Sequence, residues 1–128
     1  MSVQSSFDYA TVRVVPRVDR EEFMNAGVIL YCRARDFLEA RVELDAARLA
    51  AMAPGLDVAE VLAHLDALRK VAAGDAAAGP IARLPSSERF HWLVAPRSAV
   101  LQVSPVHSGL AIDPDTAIER LLDRMVRL

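Results

Sequence analysis

The sequence is poor in residues that build covalent or metal-held scaffolds. It has one cysteine, Cys32, and three histidines among 128 residues. One cysteine cannot form an internal disulfide, so we expect a reducing, cytoplasmic compartment. Zinc sites draw on clustered Cys and His, whereas Cys32, His64, His91 and His107 are scattered without ligand spacing. The sequence therefore predicts no metal site and no cofactor.

Glycine is also scarce, with five residues spread along the chain. Phosphate cradles of the P-loop and dinucleotide-binding types need glycine-rich turns before a helix, and neither pattern occurs. No apolar run approaches the roughly 20 residues that a membrane helix needs. The N-terminus has neither the basic start nor the hydrophobic stretch of a secretion signal. These absences predict a cytoplasmic protein outside the common nucleotide-binding folds.

Lysine is nearly absent, because Lys70 is the one lysine among fifteen basic residues and the others are arginine. Arginine binds carboxylates and phosphates through a planar fork, which indicates anion recognition, but a GC-rich genome explains the same bias. The net charge of −2 argues against a nucleic-acid coat protein, whose binding needs a basic surplus. Arg120, Arg124 and Arg127 on the last helix would be the residues that bind a nucleic acid, but the acidic overall balance places this function behind the two considered below.

Periodicity predicts three strands in the first third of the chain. Residues 7–15 alternate between two faces, and residues 27–33 form a nearly continuous apolar run, typical of a strand covered on both sides. Residues 37–45 alternate cleanly between apolar and charged side chains. We expect an antiparallel meander of these strands, with a fourth strand at Ala99–Val103.

Helical patterns occupy the middle and the end of the chain. The spacing predicts one helix over Ala46–Met52 and a longer one between the caps Asp57 and Gly74. A brief helix follows Ser86, and the last helix is capped by Asp113.

These elements together predict one domain over residues 1–128. The predicted class is α+β, with a small antiparallel sheet of about four strands and helices packed mainly on one face. A chain of this size buries enough surface for a core without disulfides or metal.

The segment from Arg83 to Leu110 holds a dense group of polar residues. Arg97, Ser98, Ser104 and His107 stand among prolines that fix the backbone, and shaped loops of this kind carry binding sites. Ser104 and His107 are three residues apart, which raises the question of a nucleophile pair. Acyl transfer also needs an orienting carboxylate and oxyanion donors, and no G-x-S-x-G or S-x-x-K pattern is present. A Ser and His that fix a proline-rich turn explain the pattern more simply.

A convergent polar site is the second interpretation of this segment. Arg13 lies on the polar face of the first strand, Asn25 leads into the second, and Arg97 belongs to the late loop. The candidate ligand-binding residues are Arg13, Asn25, Arg97, Ser98, Ser104 and His107. If the loop folds over the sheet, they share a cavity for a phosphate, a carboxylate or an acidic side chain of a partner. Otherwise each arginine pairs with one of the seventeen acidic residues.

Two long blocks of sequence resemble a known family. YATVRVVPRVDREEFMNAGVILYCR (residues 9–33) and ERFHWLVAPRSAVLQVSPVHSGL (residues 88–110) resemble the bacterial domain of unknown function 3037. With the helices between them, the resemblance covers essentially the whole chain. It implies no established activity or catalytic residue. Members of that family often lie beside a gene for a HipA-like serine/threonine kinase, which implies an accessory or partner role.

We therefore expect a cytoplasmic bacterial binding or accessory module. Its ligand is a protein partner, with the HipA-like kinase as the first candidate, or a small anionic ligand. The alternative is a hydrolase or phosphate-ester enzyme that uses His107 with Arg97. An exposed sheet edge, or the apolar side of the last helix, would also allow a homodimer.

Overall fold

The computed structural model describes residues 3–96 and 99–128, and a five-stranded sheet lies at its centre. The strands are β1 (Ser5–Val14), β2 (Met24–Cys32), β3 (Phe37–Val42), β4 (Leu101–Val103) and β5 (His107–Ala111). The register pairs Tyr9 with Leu30 and Ile29 with Ala40 in antiparallel ladders. The predicted meander of the first three strands is therefore confirmed.

β1 lies inside the sheet because both of its edges are paired. One edge pairs with β2, and the other pairs with β4 along Val12–Val14 and with β5 along Ser5–Tyr9. β4 and β5 therefore lie end to end along β1, which adds a fifth strand to the four expected. Pro105 stands in the gap between the two short strands, where its missing N–H removes no ladder bond.

The described residues form four α-helices, α1 (Ala46–Met52), α2 (Val58–Ala73), α3 (Ser86–Leu93) and α4 (Pro114–Met125). The predicted caps are present. The Asp57 side chain accepts the N–H of Glu60, and Gly74 ends α2 in the left-handed conformation that glycine adopts at no steric cost. The Asp113 side chain caps α4. Each helix therefore begins where its local sequence indicates.

Three helices pack on one face of the sheet. Leu49, Leu65 and Phe90, one each from α1, α2 and α3, are buried there with Val12 and Ile29 of the sheet. This arrangement confirms the α+β class. Among the described residues, no helix combines the length and the apolar character needed to cross a membrane.

The fourth helix, α4, covers the opposite face. Its Ile118 and Leu122 are fully buried against Val28 and Leu30 of β2. β2 is therefore covered on both sides, as its continuous apolar run predicts. Two hydrophobic cores, one on each face, share a single sheet.

Two arginines fix one flank of α4 to the β3 side of the sheet. Arg41 on β3 donates to Asp115 and Glu119 of α4. Arg127, just beyond α4, donates to Glu43 after β3. The acidic residues of the helix therefore point toward β3.

Candidate functional site

The structure places the predicted residues Arg13 and Asn25 side by side. They are cross-strand partners in β1 and β2, next to a register shift. The Arg13 guanidinium carbon lies 4.2 Å from the centre of the Phe23 ring, a cation–π distance. Asn25 Nδ2 donates to the C=O of Met125 at 3.0 Å, which ties β2 to the end of α4. No acid of the described ranges lies within ion-pairing distance of Arg13.

Two polar atoms of this pair are buried without a hydrogen-bond partner among the described residues. They are the donor Arg13 Nε and the acceptor Asn25 Oδ1. Because both atoms are sealed from solvent, they are not placed to receive a free ligand. The Asn25 bond to α4 and the ring contact of Arg13 indicate a structural role for the pair.

Ser104 completes the sheet in the gap between β4 and β5. Its backbone N–H donates to the Thr11 C=O, and its Oγ accepts the Thr11 N–H, each at 2.9 Å. The hydroxyl donates its proton to the C=O of Pro105, also at 2.9 Å. The residue is 5% exposed. The single O–H of Ser104 is therefore directed at a carbonyl and not at an imidazole, so the geometry favours a structural role.

His107 begins β5 and pairs with Tyr9 of β1. The two ring centres lie 5.5 Å apart, and the imidazole is exposed. Tyr9 and Arg13 lie on the same face of β1, but four residues separate them, which is about 13 Å along a strand. Arg13 and His107 thus share a face without sharing hydrogen-bond reach. Arg97 and Ser98 lie outside the described residues.

A groove that the sequence did not indicate lies between β5 and α4. Its volume is about 440 Å³. Its apolar lining consists of Phe7, Leu110, Ala111, Ile112, Ala117 and Leu121. Its polar lining consists of Gln4, Asp113, Thr116, Arg120 and Arg124. The pair Arg120 and Arg124 is the signal of this groove in the sequence, but the sequence pattern predicts a loop where β5 lies.

The absence of a side chain at Gly109 leaves room for the Phe7 ring, which forms the floor of this groove. Gly109 pairs with Phe7 across the β1–β5 ladder. A Cβ on Gly109 would lie 2.6 Å from Cζ of Phe7, so the aromatic ring occupies the space of the missing side chain. An aromatic ring over a strand glycine is a known way to cover that gap.

β5 has one unpaired edge. The Thr11 N–H and C=O point toward the β4–β5 side of β1. Backbone groups of successive residues in an antiparallel strand point to alternate edges. Phe7, four residues before Thr11, therefore points its N–H and C=O toward the same side as Thr11. Gly109, the partner of Phe7, therefore turns its backbone groups toward β1. Its neighbours Ser108 and Leu110 turn theirs away from the sheet, where no hydrogen bond to a described residue engages them. These two residues offer a template for another strand.

The groove flank of α4 is positively charged. Arg120 and Arg124 are four residues apart, so both lie on the same side of the helix. Both are exposed, and no acid of the described ranges lies within ion-pairing distance of either. Asp113 is the one acid in the groove lining, and its two oxygens accept from the Asp115 N–H and the Thr116 hydroxyl.

Arg127, which follows the end of α4, behaves differently. Arg127 donates to Glu43, Asp123 and Glu119. These bonds, above all the one that Arg127 donates to Glu43, raise the pKa of the guanidinium. The bond from Arg127 in turn holds the pKa of the Glu43 carboxyl below its ordinary value. Of the three arginines Arg120, Arg124 and Arg127, the last is therefore neutralised by acids and the first two are not.

A second arginine-lined hollow is electrically balanced. It lies between residues 16–22 and the end of α1. Arg17 pairs with Asp19, and Arg20 pairs with Glu22. The β5–α4 groove differs from this hollow, because it holds two arginines with no acid of the described ranges in ion-pairing distance.

The family model described as Protein of unknown function (DUF3037) matches residues 9–126. The chain belongs to this family, which confirms the resemblance carried by the two sequence blocks. No curated protein and no solved structure compared with the chain matches it.

Proposed function

We propose that the protein is a binding module that holds an extended segment of a partner protein along the free edge of β5. The mode is β-strand addition, in which backbone hydrogen bonds supply affinity and pockets for side chains supply specificity. The observation that carries this proposal is the outward-facing backbone of Ser108 and Leu110 beside an apolar groove. β5 is about 17 Å long and α4 about 18 Å, so strand and helix flank the same length of segment.

Charge favours a different protein over a second copy of this chain. Two β5 edges paired antiparallel would continue one sheet and place both α4 helices on the same face. Arg120 and Arg124 of the two copies would then approach each other with no acid of the described ranges in ion-pairing distance, and like charges repel. A homodimer through this edge is therefore disfavoured.

The hydrolase alternative has less support. The Ser104 hydroxyl is engaged by a carbonyl, and no acid of the described ranges orients His107. Arg97, its proposed helper, lies outside the described residues. The anion that the arginines bind is an acidic group carried by the bound segment and not a separate small molecule.

We place this activity in a bacterial cytoplasm, where the buried thiol of Cys32 stays reduced. The HipA-like kinase is the first partner to test, because the family resemblance implies an accessory role beside it. Co-purification of the two proteins at low and moderate salt is the direct assay.

Selection from a displayed library of random peptides tests the binding mode without a known partner. Peptides of about nine residues span the strand. We expect the immobilised protein to enrich binders. Leu110→Pro removes the outward N–H but leaves the β1 ladder intact, so it should abolish their binding with little change in the circular dichroism spectrum.

Leu110→Thr is the matched control, because it removes the same side chain, which is 66% exposed, but keeps the N–H; binding lost by Leu110→Pro beyond that lost by Leu110→Thr reports the N–H alone. Ser108→Pro repeats the test at the second outward N–H. Binding that survives both proline variants, or a library that yields no binder, would overturn the proposal.

A further inference from the structure

The two flanks of α4 carry opposite charge. Asp115 and Glu119 point toward β3, where Arg41 binds them. Arg120 and Arg124 point toward the groove. The helix therefore presents its unpaired charge to whatever lies along β5.

A segment added to β5 would bring side chains to this charge. Side chains of directly opposed residues in a sheet point to the same face. Gly109 lies on the α4 face, because its neighbour across the ladder is the buried Phe7 of that core. The segment residue opposite Gly109, and those two positions away, therefore point into the groove. The first lies over the Phe7 ring, and the others reach toward Arg120 and Arg124.

Resting on the proposed function, we infer that the partner segment is acidic and that a carboxylate on its α4-facing side binds Arg120 and Arg124. An arginine fork binds a carboxylate through two parallel hydrogen bonds. Asp113, the one acid of the groove lining, caps the helix and lies outside ion-pairing distance of both arginines. The Phe7 floor next to the arginines holds an apolar side chain of the same segment.

A peptide fits this groove better than a nucleic acid. The edge offers N–H and C=O groups at the spacing of a strand; a phosphodiester can accept from the N–H groups but has no donor for the C=O groups, whereas a peptide has both. Arg127 is neutralised by three acids, and the chain carries a net charge of −2. Two unpaired arginines are fewer than the extended basic stripe that nucleic-acid binding needs.

The library selection, run on three proteins, tests this inference. They are the unaltered protein, the double variant Arg120→Gln with Arg124→Gln, and the control Arg48→Gln, which changes an exposed arginine of α1 on the other face. We expect Asp or Glu at a fixed position of the peptides enriched by the unaltered protein and by the control. The double variant should bind those peptides about ten-fold more weakly, as for loss of a charge-assisted pair.

A peptide with Glu→Gln at the enriched position should lose a similar factor on the unaltered protein and nothing further on the double variant, since the two changes remove one interaction. Binders without acidic preference, held equally by the double variant, would overturn this inference and leave strand addition standing. A library without any binder would overturn both. Salt-sensitive retention of single-stranded DNA, lost in the double variant, would assign the arginines to phosphate and overturn the inference.

Discussion

Gly109 shows how a missing side chain shapes the groove. Gly109→Ala would place a Cβ 2.6 Å from Phe7 Cζ. The ring cannot swing away freely, because Phe7 is 8% exposed within the α4 core. We expect destabilisation of about 1–3 kcal/mol, the usual cost of overpacking, measured by urea denaturation.

Gly55→Ala is the matched control. No atom outside its chain neighbours lies within 4 Å of a Cβ at Gly55, so the change in unfolding free energy should stay within about 0.5 kcal/mol. Equal effects at Gly55 and Gly109 would show that Phe7 does not constrain the strand.

Ser104 offers a test that separates a structural from a catalytic serine. Ser104→Ala removes the acceptor of the buried Thr11 N–H. An unsatisfied buried donor costs about 1–3 kcal/mol, so we expect a lower urea midpoint. Ser108→Ala, whose hydroxyl donates to Asp8 on the exposed surface, should change stability by less than about 0.5 kcal/mol. An unchanged midpoint for Ser104→Ala would contradict the structural role.

Ser104 and His107 show which contacts cannot be predicted from the sequence alone. The spacing of Ser104 and His107 is visible along the chain, and it suggested a nucleophile and a base. The partner of Ser104 is Thr11, 93 positions away, and that pairing follows from the register of β1. Local spacing cannot reveal it, so the role of the serine emerged with the fold.

The ion pairs that hold α4 to the β3 side give a pH-dependent prediction. Arg127 lowers the pKa of Glu43 in the folded protein. A carboxyl with a lowered pKa adds stability above its unfolded pKa of about 4.3, and this stability is lost as the pH falls through the folded value. Glu43 is 44% exposed, so Glu43→Gln should cost less than about 1 kcal/mol at neutral pH.

Urea denaturation between about pH 7 and about pH 3 measures this effect. The stability difference between the unaltered protein and Glu43→Gln should shrink as the samples become more acidic, because Glu43 loses its charge as the pH falls through its lowered folded pKa. Glu88→Gln on α3 is the control, since no salt bridge engages Glu88 among the described residues. A difference that stays constant with pH would contradict the pairing.

Helices were easier to predict than strands because their signals are local. Asp57, Gly74 and Asp113 act within a few residues, and each capped the helix that the sequence indicated. β5 is short and rich in small and polar residues, and it pairs with β1 about a hundred positions earlier. Its partner could not be found from periodicity, so the groove beside it was missed.

The candidate site could not be predicted because the sequence does not show which flank of α4 faces β5. Its apolar stripe and its arginines are both visible in the sequence. Which flank faces β3 and which faces β5 depends on the pairing of Arg41 with residues 74 and 78 positions later. Because the acidic flank of α4 faces β3, Arg120 and Arg124 face β5 and line the groove. The sequence shows these arginines, but only the fold shows which surface they belong to.

The salt dependence of binding follows from the charge of the complete molecule. The net charge is −2, so long-range attraction of an acidic peptide is weak and the arginine pair acts at short range. Raising the salt from about 50 mM to about 500 mM screens that exposed pair but leaves the backbone bonds and the contact with Phe7. We expect the affinity for a selected acidic peptide to fall by less than about ten-fold. Nucleic-acid binding would fall much more steeply, with a logarithmic slope of about 0.9 per neutralised phosphate, and fluorescence polarisation in a salt series distinguishes the two.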